Sequence, residues 1–180
     1  MLQVTVPEFE VYSSEENLFT TIKEQTLAFE HSLLSISKWE AYYCKPFLSK
    51  TAKSSEETIY YLRCMCLTPN VNPIIFKHLP SSILDQVKEY IDTPKTATWF
   101  SDESKNSKSA QTLTSELLYY HMIANGIPFE CQKWHLSRLI TLIRICQEKN
   151  APKKKMNKRD ILKQNAALNA ARRSKLGSKG

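Results

Sequence analysis

A chain of 180 residues has room for one domain with an additional arm, and its 42% hydrophobic and 10% aromatic content excludes disorder along the whole length. Only three glycines occur, the first at Gly126, which excludes the glycine-rich loops of Walker and dinucleotide-binding proteins. The formal net charge is +7, but residues 151–180 carry ten Lys or Arg against one acid, a net of +9, so residues 1–150 carry a net of −2.

The N-terminal segment predicts a small two-stranded β element. Residues 2–6 alternate with β-branched side chains until Pro7, and residues 20–30 alternate loosely enough to form the returning strand. The first eighteen residues lack the basic and apolar regions of a secretory signal. No run reaches the roughly 18–20 apolar residues that a membrane span requires. We therefore expect a soluble intracellular protein.

Three helices are predicted in the middle of the chain. Apolar spacing indicates the first over residues 31–44. Ser54 and Glu57 have the spacing of a capping box, which predicts a second helix that stops before Pro69. A third is predicted over residues 80–94, with four side chains inward: Leu84, Val87, Tyr90 and Ile91. The polar residues 101–110 predict a loop.

A closely connected pair of helices gives the strongest local pattern. Residues 113–124 carry two apolar rows, and Asn125-Gly126 can supply a left-handed helix end. Pro128 then predicts the start of a helix over about 129–149. More than half of its circumference is apolar, which is typical of a helix at the centre of a bundle. The apolar set comprises Trp134, Leu136, Leu139, Ile140, Leu142, Ile143, Ile145 and Cys146.

These elements predict a mainly α fold of five to seven helices with the small N-terminal two-stranded β element. A last helix, from Asn157 through about Ala170, is predicted to protrude as a basic C-terminal helix. The domain organisation that follows is a helical body over residues 1–150, which should fold by itself, and a basic tail over residues 151–180.

The chemistry-bearing residue types do not form a persuasive catalytic or metal-binding pattern. Five cysteines without export signals are expected to be reduced. Cys131 and His135 lie four residues apart and His121 precedes them, but a closed zinc site needs four ligands in shorter paired spacings. A cysteine nucleophile at Cys131 would have the acidic Glu130 beside it instead of the positive neighbour that activates a catalytic thiol. We therefore expect no metal, no cofactor and no enzymatic activity.

The basic tail admits three interpretations. It can be a solvated arm, a nucleic-acid contact that releases counterions, or a helix that docks on a partner. Residues 151–180 contain no aromatic side chain that could stack on a base, which argues against nucleic acid as a partner. A nucleic-acid-binding phage accessory protein acting through this tail is nevertheless the best alternative from another functional class.

Several short segments together resemble a known group of proteins. The segments are residues 30–40, which run into Lys45-Pro46-Phe47, residues 96–100, residues 127–136, and residues 155–172 with their Asn165-x-Ala167-Leu168-Asn169 core. In this order they resemble the tail assembly chaperones of long-tailed, siphovirus-like bacteriophages and prophages. The resemblance covers most of residues 27–173, and it consists of aromatic anchors and turns without a catalytic motif.

The resemblance implies a small, mostly helical, non-enzymatic protein. Members of that class coat the phage tape-measure protein in several copies until tail-tube subunits polymerise around it, and a longer form made by ribosomal frameshifting often exists. It also implies a location in the host cytoplasm and absence from the mature virion, with no membrane partner.

Candidate partner-binding residues follow from exposure and charge rather than from the family. Trp99 and Phe100 stand beside the polar loop, where they could contribute to an apolar contact. The cations of the tail form the second candidate set: Lys153, Lys154, Lys155, Arg159, Arg172 and Arg173.

Overall fold

A computed structural model describes residues 1–13, 18–100, 112–151 and 158–177. The chain divides into two compact units, Met1–Gln147 and Glu148–Gly180. The strands are β1 (Leu2–Val6), β2 (Phe9–Ser13), β3 (Leu18–Ile22) and β4 (Gln25–Phe29). The helices are α1 (Leu33–Tyr43), α2 (Ser55–Met65), α3 (Ser81–Asp92), α4 (Ser115–Ala124), α5 (Leu136–Asn150) and α6 (Lys158–Leu176). Two 3₁₀ helices, Pro73–Lys77 and Phe129–Lys133, precede α3 and α5.

The predicted fold class is confirmed in its main features. Within the described part of the chain there are six α-helices, and all four β-strands lie in the first 29 residues. No helix among these residues is both long and apolar enough to cross a membrane. The tail forms α6, which continues past the predicted end near Ala170 to Leu176, where Gly177 takes a left-handed conformation (φ +60°). Its projection from the body stays a prediction.

The β element is one interrupted antiparallel ribbon. β1 pairs with β4 and β2 with β3, and a single register runs through both halves, with Val6 opposite Gln25 and Phe9 opposite Ile22. The predicted strand at residues 2–6 is confirmed, whereas the predicted single return strand is two strands, β3 and β4. The inner face of the first half contributes four buried side chains to the core: Val4, Val6, Leu27 and Phe29.

The first two helices begin where the sequence indicates, and each has a side-chain cap. Ser32 and Ser35 form a reciprocal capping box for α1, and the predicted box of Ser54 and Glu57 caps α2. α1 places Trp39 in the core, where it is 2% exposed and donates its indole N–H to the Glu57 carbonyl at 2.9 Å. Local sequence chemistry therefore determines where these two helices begin.

A buried carboxylate joins three distant segments. Glu40 of α1 accepts a hydrogen bond from the Phe47 backbone N–H through Oε1 and one from the Ser115 N–H through Oε2, both at 2.7 Å. Ser115 is the first residue of α4, whose unpaired N-terminal amides favour a negative charge. The contact fixes the start of α4 against α1.

Two predictions about helix faces are wrong. In α3, Ile83, Val87 and Tyr90 are buried, but Leu84 lies at the surface with 40% of its area exposed. In α5, only Leu136, Leu139 and Ile143 are buried, so this helix lies at the edge of the core rather than at its centre. Its remaining apolar side chains are partly or largely exposed.

The predicted continuous helix over residues 129–149 is also wrong. After Gly126, which takes the expected left-handed conformation (φ +65°), a 3₁₀ helix ends at Lys133 and α5 starts only at Leu136. The break occurs because this connector pairs with the chain before α1. The Leu136 N–H donates to the His31 carbonyl at 2.7 Å, and His135 forms a β-bridge with Ser32.

Candidate functional site

Trp99 and Phe100 differ sharply in accessibility. Trp99 is 78% exposed, whereas Phe100 is half-buried, with the Arg144 guanidinium 4.0 Å from its ring centroid. The segment that leads to them is attached to α5, because the Lys95 N–H donates to Ser137 Oγ at 3.0 Å. Trp99 is therefore the member of the predicted pair that presents its ring to solvent.

The predicted tail cations are only partly described. Lys153, Lys154 and Lys155 lie outside the described residues, as do the predicted polar loop at residues 101–110 and the predicted helix start at Asn157. Arg159, Arg172 and Arg173 are exposed on α6. The aromatic pair belongs to the unit Met1–Gln147 and these arginines to the unit Glu148–Gly180. Their role in partner binding stays a prediction.

A groove between α2 and α3 forms an apolar concavity on the body. We call it the α2–α3 groove, with a volume of about 280 Å³. Its floor consists of the buried Leu62, Phe76 and Leu79, and the more exposed Ile59 and Leu84 form its edges. The groove thus offers apolar surface that the described residues of the body leave uncovered.

Two lysines border this groove. Lys77 is exposed at the end of the first 3₁₀ helix. Lys53 places its ammonium 4.1 Å from the Phe47 ring centroid, and burial lowers the pKa of Lys53, against the opposing influence of Glu57. A partner with acidic residues beside an apolar stripe would complement this arrangement.

The outward face of α4 is a second apolar surface. The predicted row of Leu118 and Met122 is buried, whereas Tyr120 of the other predicted row is 62% exposed. Ile123, which lies on the same face as Tyr120, is 65% exposed. Ala124 continues the exposed row. This exposed surface could be predicted from the sequence, because α4 is apolar on both faces and the core can cover only one of them.

A hydrogen-bonded polar cluster lies inside the body. His135 Nε2 is 3.2 Å from the Tyr90 carbonyl oxygen, which can only accept, while its Nδ1 receives the Ser137 N–H at 3.3 Å. These partners fix the Nε2–H tautomer of a neutral ring. Burial is the main reason that the pKa of His135 is lowered.

The same cluster contains His31 and two tyrosines. His31 Nδ1 and the Tyr61 hydroxyl are 2.6 Å apart, and burial, reinforced by His135, lowers the pKa of His31 to about 4. The Tyr90 hydroxyl donates to Glu30 at 2.7 Å, and burial followed by that carboxylate raises the pKa of Tyr90. Two neutral histidines and two protonated tyrosines therefore stabilise the interior by hydrogen bonds.

Cys131 and His135, considered above as metal ligands and, for Cys131, as a nucleophile, lie in the interior of the body. Cys131 is buried in the core, and His135 has the partners described above. Among the residues that the structure describes, no three His, Cys, Asp or Glu side chains lie close enough to hold a metal ion.

Comparison with known proteins gives no assignment. No protein-family model, no curated protein and no solved structure matches this chain.

Sequence reasoning missed the α2–α3 groove. The run Ile74-Ile75-Phe76 with Leu79 was an available signal, since a short apolar run between prolines favours contact with a neighbouring element. The register of that contact against α2 depends on the fold and is not visible in the sequence.

Proposed function

We propose that this protein is a non-enzymatic tail assembly chaperone of a long-tailed bacteriophage, which binds the tape-measure protein and keeps it soluble during tail-tube assembly. The resemblance of residues 27–173 to that class motivates the proposal. The structural observation that carries it is the uncovered apolar surface of the body, above all the α2–α3 groove.

The groove has the dimensions of a short helix contact. Its α2 wall is formed by Ser55, Thr58, Ile59 and Leu62, a spacing that follows one face of the helix over two turns, about 10 Å. An amphipathic helix laid alongside could insert apolar side chains at i, i+3 or i+4, and i+7. A tape-measure protein is a long helix with such stripes, which would aggregate if left uncovered.

Each contact of this size is modest, so the proposal requires several copies of the protein along one tape-measure molecule. Linked repeats of weak contacts give high avidity, while each copy remains displaceable by tube subunits. Displacement accounts for the proposed location in the host cytoplasm and the absence from the finished virion. A longer frameshifted form would extend the same coat.

The exposed ring of Trp99 and the outward row of α4 can add apolar contacts outside the groove. The cations Arg159, Arg172 and Arg173 strengthen binding only where the tape measure is acidic. Binding to the tape-measure protein is therefore mainly apolar. Salt should change its affinity little, because apolar burial is not screened by ions.

Co-expression with tape-measure fragments tests the proposal. The wild-type chain should raise the soluble yield of a fragment and stay bound to it in a pull-down across a range of salt concentrations. Leu84→Glu, at the groove edge, should weaken capture strongly because it places a charge against the apolar contact. Leu67→Glu is the matched control, since Leu67 is an exposed leucine outside the groove.

The opposite pattern would favour the nucleic-acid alternative. No fragment captured at any salt concentration, together with duplex DNA or RNA retained at low salt and lost steeply as salt rises, would contradict the chaperone function. Deletion of residues 151–180 would then abolish nucleic-acid retention.

A further inference from the structure

A cleft on the body collects positive charge although residues 1–150 carry a net charge of −2. We call it the basic cleft; its volume is about 490 Å³, within the range of small-molecule sites. Three cations line it, Lys95 from the segment after α3, Lys133 from the second 3₁₀ helix and Arg138 from the first turn of α5. Three chain segments thus converge on one site.

The only carboxylate among the residues that line this cleft is already neutralised. Glu30 receives the terminal ammonium of Met1 at 2.8 Å and the Tyr90 hydroxyl at 2.7 Å. Within the described residues, neither Lys95, Lys133 nor Arg138 has a carboxylate within 4.0 Å. The cleft therefore has three exposed positive charges with no carboxylate of the described residues at ion-pair distance, an arrangement that attracts anions.

The base of the cleft is held firmly. His135 is fixed between the Tyr90 carbonyl and Ser137, and Ser137 Oγ also accepts the Lys95 N–H at 3.0 Å. These bonds tie the end of α3 to the start of α5, so two of the three cations are attached to backbone that is hydrogen-bonded across the cleft. A site whose supporting groups are fixed in this way needs little rearrangement to bind.

An aromatic ring lies beside the cations. Trp134 lines the cleft with 37% of its area exposed, and the Arg138 guanidinium lies 4.6 Å from its ring centroid. A planar base can stack on such a tryptophan–arginine pair, as bases do on aromatic and guanidinium surfaces in general. An anion with several negative charges complements three cations better than a singly charged one does. The cleft therefore favours a phosphate chain over a single carboxylate.

We propose that the basic cleft binds a nucleoside di- or triphosphate. Lys95, Lys133 and Arg138 hold the phosphate chain, and Trp134 contacts the base. Side-chain cations perform the role that glycine-rich backbone loops perform in other nucleotide sites, loops that this sequence lacks. The site is separate from the α2–α3 groove and does not depend on the proposed function.

Isothermal titration calorimetry of the full chain at low ionic strength tests this site, with ATP, inorganic tripolyphosphate and adenosine as probes. ATP should bind, tripolyphosphate should bind more weakly, and adenosine should not bind measurably. The double variant Lys133→Gln, Arg138→Gln should lose roughly tenfold or more in affinity for ATP, because it removes two charge-assisted contacts. Trp134→Ala should weaken ATP but not tripolyphosphate.

The double variant Lys23→Gln, Lys50→Gln is the control, since it removes the same charge from exposed positions outside the cleft. It should bind ATP within about twofold of the wild-type chain, and melting curves monitored by circular dichroism should show that all variants are folded. Absence of ATP binding by the wild-type chain, or equal losses in the two double variants, would overturn the proposal. Tripolyphosphate binding as tight as ATP would overturn the assignment of a nucleotide.

Discussion

His31 and His135 lie with ring centroids 5.3 Å apart, in a region where an added proton would meet few compensating charges. His31 faces the Tyr61 hydroxyl and His135 faces the Tyr90 carbonyl and Ser137, with the partly buried Glu30 nearby. The nearby Lys95 and the terminal ammonium also oppose protonation of His135. At the scale of residues, the interior therefore requires both rings to be neutral.

Acid should destabilise the body through His31. Its pKa is about 4 in the folded protein and near 6.5 unfolded, so between these values the unfolded chain binds more protons. Above pH 6.5 His31 is neutral in both states and does not reduce the free energy of unfolding. As the pH drops from 6.5 towards 4, protonation of His31 in the unfolded chain lowers the free energy of unfolding by about 3 kcal/mol. Urea denaturation at a series of pH values measures this slope.

His31→Asn is the matched variant, because its amide can keep the hydrogen bond to Tyr61 without titrating. It should flatten the pH dependence between 4 and 6.5 and leave the smaller contribution of His135. A slope as steep as that of the wild-type chain would mean that His31 does not carry the acid sensitivity.

At the scale of elements, predictions succeeded where the determining residues are neighbours in sequence. The capping box of Ser54 and Glu57 and the helix end at Gly126 follow from side chains and backbone within four residues. The break before α5 could not be predicted in this way. Its cause is the pairing of the connector with His31 and Ser32, about a hundred residues earlier, and residues 129–149 alone favour a continuous helix.

Gly126→Ala should destabilise the protein by about 1 kcal/mol through backbone strain. Gly126 has φ +65°, and an added Cβ would meet nothing within 4 Å, so steric overlap with neighbours contributes nothing. Asparagine tolerates this conformation better than alanine, and Gly126→Asn should therefore be the less destabilised of the two variants. Thermal melts compare them, and equal losses would show that strain is not the cause.

At the scale of the whole molecule, the sequence predicted the fold class but not its surfaces. The division of charge between body and tail is visible in the sequence, as is the position of Trp99 and Phe100 beside a polar run. The sequence does not show that Trp99 is much the more exposed of the two. The basic cleft was not visible, since Lys95, Lys133 and Arg138 are spaced irregularly along the chain and converge only after α3 and α5 are tied together. Surfaces that are assembled from several elements depend on tertiary packing.

A chain truncated after residue 150 should fold without the tail. The compact unit Met1–Gln147 contains every buried hydrophobic side chain found in the described residues. Far-UV circular dichroism per residue and cooperative melting should therefore be broadly retained. A molten or insoluble truncated chain would show instead that the tail contributes to the core.

Glu40 has a consequence for the order of events as the body folds. Its bond to the Ser115 N–H spans 75 residues, so it forms only when α4 reaches α1. Until then the carboxylate stays hydrated, and removing its water without supplying both amides would be strongly unfavourable. Arrival of α4 and dehydration of Glu40 are therefore one event, which leaves no stable half-docked position. The outward apolar row of Tyr120 and Ile123 therefore takes one orientation, and this surface forms in the same cooperative step as the folded body.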